Sequence, residues 1–402
     1  MRIAIASRIF DPEPSAASFR LAALARALVE AGHDVDVLTV RPPARLRAGV
    51  AQPEATGYRV RRFPVLRDSS GYVRGYLPYL SFDVPLFFRL VFGPKRDLVI
   101  SEPPPTTGFF VRLASWVRRT PYAYYAADIW SDAAAQTDAP AWMVRMVQAL
   151  ERCALRRARV VISVSAGVTE RVSDLTDANV VTVGNGVDAA RFTRALAGSF
   201  ELPLKRGEHH EFVYAGTASE WHGADVFVDA LPAVLHDVPL TRLRFIGGGS
   251  EREALRTRAQ ELDVSHAVTF EPVLGAAEIA PILARATAAV ASVRPGAGYD
   301  FAFPTKLYSA AVCGAPLIYS GFGPAEEFVR TEVEGSALGT AVAPDSVQVA
   351  AAMVSAARAV AESSPESVVA RHNAVSRWAI QNVGLDAVAE RAVRALDESV
   401  GG

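Results

Sequence analysis

The sequence predicts an α/β protein built from two doubly wound domains, each a parallel sheet covered on both faces by helices. Three observations carry this. At 402 residues the chain is too long for one ordinary hydrophobic core. Short β-branched and aromatic runs alternate with longer runs of helical spacing over nearly the whole length, the pattern of a parallel sheet with crossover helices. The alternation also stops at a polar, irregular stretch, 193–210, and then begins again.

Taken in order, the first strand is expected at 3–6, where Ile3 and Ile5 alternate with small residues. A helix over 17–31 follows, with apolar residues at helical spacing and Gly32 as its stop. Further strands are expected at 35–40, 58–63, 98–101, 122–126, 160–164 and 180–183, which closes a first domain at 1–192. Residues 193–210 read as a linker, with Gly198, Pro203, the run Lys205-Arg206-Gly207 and the pair His209-His210. A second sheet then opens at 211–216 and continues at 243–247, 268–270, 288–292 and 317–319, giving a second domain at 211–375. Segments 347–362 and 376–398 are alanine-rich and helix-forming. The last of these, within 376–402, is expected to cross back to the first domain. Ligands of doubly wound sheets bind beyond the carboxyl ends of the strands, so the two halves are expected to face one another across a cleft.

Composition excludes several classes. Half the residues are hydrophobic and 21% are charged, which is globular rather than disordered. A net charge of −1 gives no electrostatic reason to expect nucleic acid. The only cysteines, Cys153 and Cys313, sit in apolar helical contexts and read as buried thiols, not as a disulfide or a metal site. The N-terminus reads as a first strand rather than a signal peptide, and no run reaches the roughly 18 apolar residues of a membrane span. A cytoplasmic protein is the expectation.

The stretch 303–318 is the richest in chemistry. Pro304-Thr305 opens a helix, Lys306 follows, and Gly314-Ala315-Pro316 stops it before a strand. Unpaired N–H groups at Thr305–Leu307 and the charge of Lys306 suit an anion, above all a phosphate. The alternative is an exposed lysine on an ordinary first turn.

Five motifs in order then resemble one family, the retaining glycosyltransferases of the two-Rossmann-domain (GT-B) type, family GT4. Ser15-Ala16-Ala17-Ser18-Phe19-Arg20 with Gly32-His33-Asp34-Val35 is similar to the family's opening loop and second strand. Asn185-Gly186-Val187-Asp188 resembles its "NGVD" segment, and Tyr214-Ala215-Gly216 the start of its second domain. Ile246-Gly247-Gly248-Gly249-Ser250-Glu251 is similar to its "GDGPE" turn. Pro304-Thr305-Lys306 resembles the "PSK" form of a branch acting on surface-glycan precursors.

The resemblance implies roles residue by residue. Donor phosphates would meet Lys306, Pro304, Thr305, Gly216, Thr217, Gly247 and Gly248, because a departing diphosphate gains charge that needs cations and N–H donors. His222 can hydrogen-bond a phosphate or sugar oxygen, or be a surface histidine at a helix start. Arg294 can serve as a cation or form a loop salt bridge. Ser15 and Ala16 would close over the donor; an N-cap at Ser15 is compatible with this. Asp128 is the candidate catalytic carboxylate, taking the acceptor proton or binding a sugar hydroxyl, or else it is a helix N-cap. Arg20, Glu102 and Tyr125 are the candidate acceptor contacts; Arg20 can instead form a surface pair, and Glu102-Pro103-Pro104 can be a loop built on rigidity.

The departures matter as much. Where the family usually has cations, this chain has Thr217 and His222; where it has His before the Asp, Ala127 stands. Ser309 occupies the position of the family's ribose-binding Glu, and Phe301, beside Asp300, that of its partner acid. Glu271 is the fallback for the ribose. Segment 68–97 carries aromatic and basic residues that either lie on a membrane and receive a lipid-linked acceptor or simply pack on the sheet.

The expected activity is transfer of a hexosyl or N-acetylhexosaminyl group, with retention and without metal or other cofactor. The donor would be a nucleotide sugar, UDP-linked before GDP-linked on the branch resemblance, and the acceptor a hydroxyl, in glycan, glycolipid or natural-product synthesis. The alternatives are a nucleotide-sugar epimerase of the same architecture and a catalytically impaired nucleotide-sugar-binding partner of an active transferase. A dehydrogenase is poorly supported, since no Gly-x-Gly-x-x-Gly follows the first strand.

Overall fold

The computed structural model describes residues 1–13, 15–44, 46, 57–68, 71, 73, 75–135, 140–196, 209–296 and 303–401. The chain forms two compact units, Met1–Asn185 with Leu385–Gly402, and Gly186–Gly384. Each is an α/β unit around one parallel sheet, as the alternation predicts.

In the first unit, β1 (Arg2–Ala6), β2 (Asp34–Val40), β3 (Arg59–Phe63), β4 (Leu98–Ser101), β5 (Tyr122–Ala126), β6 (Val160–Ser163) and β7 (Val180–Thr182) make a sheet in the order β3-β2-β1-β4-β5-β6-β7. All neighbours are parallel. Burial on both faces explains why the inner strands β4, β5 and β6 are apolar almost throughout, while the edge strand β3, Arg-Val-Arg-Arg-Phe, is partly exposed. Ile3, Ile5, Val37, Ile100 and Tyr125 pack beneath the helices Ala16–Glu30 and Leu385–Gly401. Ala4, Ala6, Leu38, Val99 and Tyr122 pack beneath Tyr76–Phe92 and Pro105–Arg118 on the other face. The strand order reverses between β1 and β4, which makes the carboxyl ends there the place where a ligand crevice opens.

In the second unit, β8 (His210–Ala215), β9 (Thr241–Ile246), β10 (Val268–Glu271), β11 (Ala288–Ser292) and β12 (Leu317–Ser320) are joined, after a small hairpin of β13 (Glu332–Val333) and β14 (Ser336–Ala337), by β15 (Gly339–Val342). The parallel order is β10-β9-β8-β11-β12-β15, with its reversal between β8 and β11. The last strand and the hairpin are not anticipated by the sequence reading.

The boundaries differ from those expected. Residue 192 falls inside a helix, Ala189–Leu196, whose Phe192 and Leu196 pack on the core of the second unit, so the division comes at 185/186. Within the expected linker, 197–208 lie outside the described residues. The helix expected at 376–398 is two helices, Pro365–Val383 and Leu385–Gly401, broken at Gly384. A Cβ at Gly384 would stand 2.4 Å from the carbonyl oxygen of Ile380, so the break needs glycine. Val187 N–H donates to Val383 O at 2.9 Å and holds the turn. The second helix belongs to the first unit, where Val388, Ala392 and Leu396 fill its core.

Candidate functional site

At the carboxyl edge of the second sheet the backbone continues to pair beyond the strands. Gly216 N–H donates to Ile246 O at 2.8 Å, Ala218 N–H to Gly248 O at 2.9 Å and Gly247 N–H to Glu271 O at 3.2 Å. This lacing requires glycine: Gly216, Gly247 and Gly249 have φ of +143°, +138° and +132°. A Cβ at Gly247 would lie 2.4 Å from Gly216 O, and one at Gly249 1.9 Å from Ala218 O. Arg252 Nη1 props the two loops from below, donating to Gly247 O at 2.8 Å and Glu271 O at 2.7 Å. The result is a small surface hollow that brings the predicted Gly216, Gly247 and Gly248 together.

Lys306 approaches the same loops from the helix Lys306–Val312. Its Nζ donates to the Tyr214 hydroxyl at 2.5 Å and to Thr217 O at 3.3 Å, and lies 3.8 Å from the Tyr214 ring centre. No carboxylate pairs with it among the described residues, and burial alone pulls its pKa down to about 7. Tyr214 is fully buried, which pushes its phenol well above the ordinary range and keeps it neutral. A Cβ at Gly216 would come within 3.2 Å of Lys306 Cε, so glycine there leaves the lysine its path.

The rest of this corner departs from expectation. Leu307 N–H donates to Pro304 O at 3.0 Å, so the turn itself uses one of the three donors expected for an anion at Thr305–Leu307. Ser309 Oγ donates back to Lys306 O at 3.1 Å. Glu271, the fallback ribose residue, is held by Arg244 through contacts of 2.6 and 3.0 Å. Arg294 takes the salt-bridge alternative, with its Nη2 at 2.8 Å from both oxygens of Asp225.

His222 is not a surface histidine. It is 6% exposed, stacks on Trp221 at 3.6 Å between ring centres, and accepts from Ser219 N–H through Nδ1 at 3.1 Å. Burial, and then the charge of Lys306, pulls its pKa down to about 4. The ring is therefore neutral at pH 7, and its Nε2 carries the proton.

At the carboxyl edge of the first sheet, Arg20 and Glu102 are buried and paired, and Ser7 Oγ donates to Glu102 at 3.2 Å. Burial works against the Arg20 charge, but Glu102 outweighs it and holds the guanidinium pKa above its ordinary value. The pair is thus internal, where a surface pair was the alternative. Tyr125 is a core residue, its ring centre 5.0 Å from Arg20 Cζ and its phenol pushed up to about 12 by burial. Arg20, Glu102 and Tyr125 lie below the surface and support the edge; the exposed group there is Asp128. Asp128 is not an N-cap. Glu151, 1% exposed, accepts from Trp130 N–H at 2.8 Å and Ser131 N–H at 3.0 Å and caps that helix instead. Ser15 does cap its own helix, accepting from Ser18 N–H at 3.0 Å, with Ala16 exposed beside it.

Sequence reasoning missed the roles of Tyr214 and Glu151, and also Arg8 and the fully buried Asp83. Arg8 lies 3.7 Å over the Tyr79 ring centre, and Asp83 accepts from Thr107 Oγ1 at 2.6 Å. The signal available was Asp83 itself, the one carboxylate in an otherwise apolar helix, at a spacing that turns it inward with Phe82 and Leu86.

Comparison with known proteins follows the same division. Residues 16–186 match the model of the glycosyl transferase 4-like domain, and residues 209–359 that of glycosyl transferases group 1. Glycogen synthase of Mycobacterium tuberculosis is 29% identical over 188 residues, which cover 46% of this chain and 43% of that protein; the match thus spans under half of the curated relative. Sucrose-phosphate synthase from Thermosynechococcus elongatus superposes with a TM-score of 0.67 at 17% identity, over 99% of this chain and 98% of that one. Anabaena HepE, solved with UDP-glucose, gives 0.64 at 16% identity, over 99% and 100%. At such identities the likeness is one of fold.

Proposed function

The chain belongs to the GT4-type, GT-B glycosyltransferases, and on that premise we propose that it moves a sugar from a nucleotide-sugar donor to a hydroxyl acceptor. The observation that carries the reading is Lys306, a cation without a carboxylate partner among the described residues, set against the glycine-laced loops of Gly216 and Gly247. Such a corner suits the diphosphate of the donor and the charge it gains on leaving.

In this reading the bond from the sugar C1 to the phosphate oxygen breaks as the acceptor oxygen bonds C1 on the same face. The hydroxyl proton passes to the departing phosphate, and configuration is retained. Asp128 accepts a hydrogen bond from the attacking hydroxyl and orients it, while the Arg20–Glu102 pair stiffens the edge beneath. Neutral His222 donates through Nε2 to a phosphate or sugar oxygen. The donor is a UDP-linked hexose or N-acetylhexosamine, the acceptor is carried on a lipid, and the reaction takes place on the cytoplasmic side.

In this reading Lys306 supplies the charge stabilisation, and transfer runs without a metal. The test is nucleotide release from UDP-glucose, UDP-N-acetylglucosamine and GDP-mannose, with and without EDTA. Release of UDP unaffected by EDTA supports the reading, and loss of release in EDTA overturns its metal-free part.

One observation favours a second reading. Ser309 and Glu271, the two candidates for the ribose, are both bonded within the protein. A partner protein that binds nucleotide sugar without turning it over would show a thermal shift with UDP-glucose and no release.

A further inference from the structure

Three neighbouring helices of the first unit, Tyr76–Phe92, Pro105–Arg118 and Ala141–Leu155, cover the same face of its sheet. A surface helix ordinarily turns a polar side to water. The first of these does not. Its exposed side chains are Leu77, Leu80, Val84, Phe88 and Phe92, three or four residues apart on one stripe, with Leu77 71% and Phe92 79% exposed. Asp83, its only carboxylate, is fully buried on the opposite side.

The pattern continues across the layer. On Pro105–Arg118 the exposed side chains are Leu113, Trp116 and Val117, with Trp116 76% exposed. On Ala141–Leu155 the exposed side chains beside Trp142 and Met146 are two alanines, Arg145 and Arg152, and its one carboxylate, Glu151, is buried in its capping role. No exposed carboxylate stands on any of the three helices. Around them Lys95, Arg119, Arg156 and Arg157 are also exposed, and none pairs with a carboxylate among the described residues.

We propose that the outer face of these three helices docks on an anionic lipid bilayer, with Leu77, Val84, Phe88, Phe92, Trp116 and Trp142 seated among the acyl chains and the arginines among lipid phosphates. Apolar side chains, interfacial tryptophan and unpaired basic charge are the combination that binds such a surface. A second copy of the chain is disfavoured by charge: a two-fold interface through this face would bring arginines against arginines with no carboxylate between them. No helix among the described residues is long and apolar enough to cross a membrane, so the contact is one of lying on the surface.

The inference rests on the reading of a membrane-borne acceptor and gives it a surface, wider than the expected segment 68–97. Its test needs no acceptor. The full chain is floated with vesicles of phosphatidylcholine and phosphatidylglycerol in equal parts, and with phosphatidylcholine alone. The protein should float with the mixed vesicles and far less with the neutral ones. The triple variant Phe88→Ser, Phe92→Ser, Trp116→Ser should stay in solution. The variant Arg145→Glu, Arg152→Glu, Arg156→Glu should partition on the order of a hundredfold less. Circular dichroism and the UDP-glucose thermal shift, run on the same preparations, report folding and donor binding separately. Wild-type protein that ignores the mixed vesicles overturns the proposal, as does equal flotation of both folded variants. A lipid-free dimer dissolved by Trp116→Ser overturns it in favour of a second copy. A lost UDP-glucose shift with flotation intact counts against the nucleotide-sugar reading alone.

Discussion

The amine of Lys306 lies 2.5 Å from the hydroxyl of Tyr214, a neutral partner at the reversal point of the second sheet. A cation so placed is solvated by one phenol and one carbonyl, that of Thr217, and is short of negative charge. Replacing it with Met should remove the UDP-glucose thermal shift and weaken binding by about ten- to a hundredfold, the worth of a charge-assisted hydrogen bond. Melting without ligand should not fall, because the variant no longer buries a charge. Calorimetric titration checks this, and a Met variant that binds like wild type moves the diphosphate elsewhere.

The same lysine predicts a pH dependence. Its pKa is about 7 in the free protein, against an ordinary 10.5, and a bound diphosphate must raise it. Binding above pH 7 therefore takes up a proton. Affinity for UDP-glucose should be level below about pH 7 and fall by up to roughly tenfold per pH unit above it, until the raised pKa is passed. Lys306→Arg keeps its charge throughout and should flatten the profile. An identical slope in both proteins would assign the titration to another group.

Glu151 takes the capping task that was one alternative for Asp128, which leaves Asp128 for the role proposed in transfer. Asp128→Asn should leave the urea midpoint unchanged and cut sugar transfer by about a hundredfold or more. Glu151→Ala should do the opposite first: it strands the N–H groups of Trp130 and Ser131 and should cost about 1–3 kcal/mol in stability. Paired urea melts and transfer assays separate the two.

The laced glycines differ in what they tolerate. Gly249→Ala puts a methyl 1.9 Å from Ala218 O at a φ of +132° and should destabilise by more than about 2 kcal/mol. At Gly248 a Cβ meets nothing within 4 Å, so Gly248→Ala should melt close to wild type. Equal melting of the two would mean that the loops relax more readily than their hydrogen bonds suggest.

Much of the fold is legible because its strands are buried on both faces. Leu98–Ser101, Tyr122–Ala126 and Ala288–Ser292 can be read to the residue, since each is a short apolar run with polar or turn-forming flanks. The 332–342 region is not, because its strands are short, partly exposed and mixed in polarity. The break at Gly384 hides inside a helical periodicity that continues on both sides. In the site, residue types are visible but partners are not. Arg294 and Glu271 look available until tertiary structure brings Asp225 and Arg244 to them. Arg20 and Glu102 are 82 positions apart, and no local pattern announces that they meet.

The desolvation of Lys306 also makes it a reagent. The chain has only three lysines, Lys95, Lys205 and Lys306. An amine with a pKa of about 7 keeps a large share of free lone pair in neutral buffer, where ordinary lysines are almost wholly protonated. An aldehyde bearing a phosphate, trapped by borohydride, should form its Schiff base at Lys306 first, and UDP-glucose should block it. Peptide mapping of the trapped product reads this directly. The corner proposed for the donor would then also accept a fluorophore or cross-linker by simple amine chemistry, with no engineered cysteine.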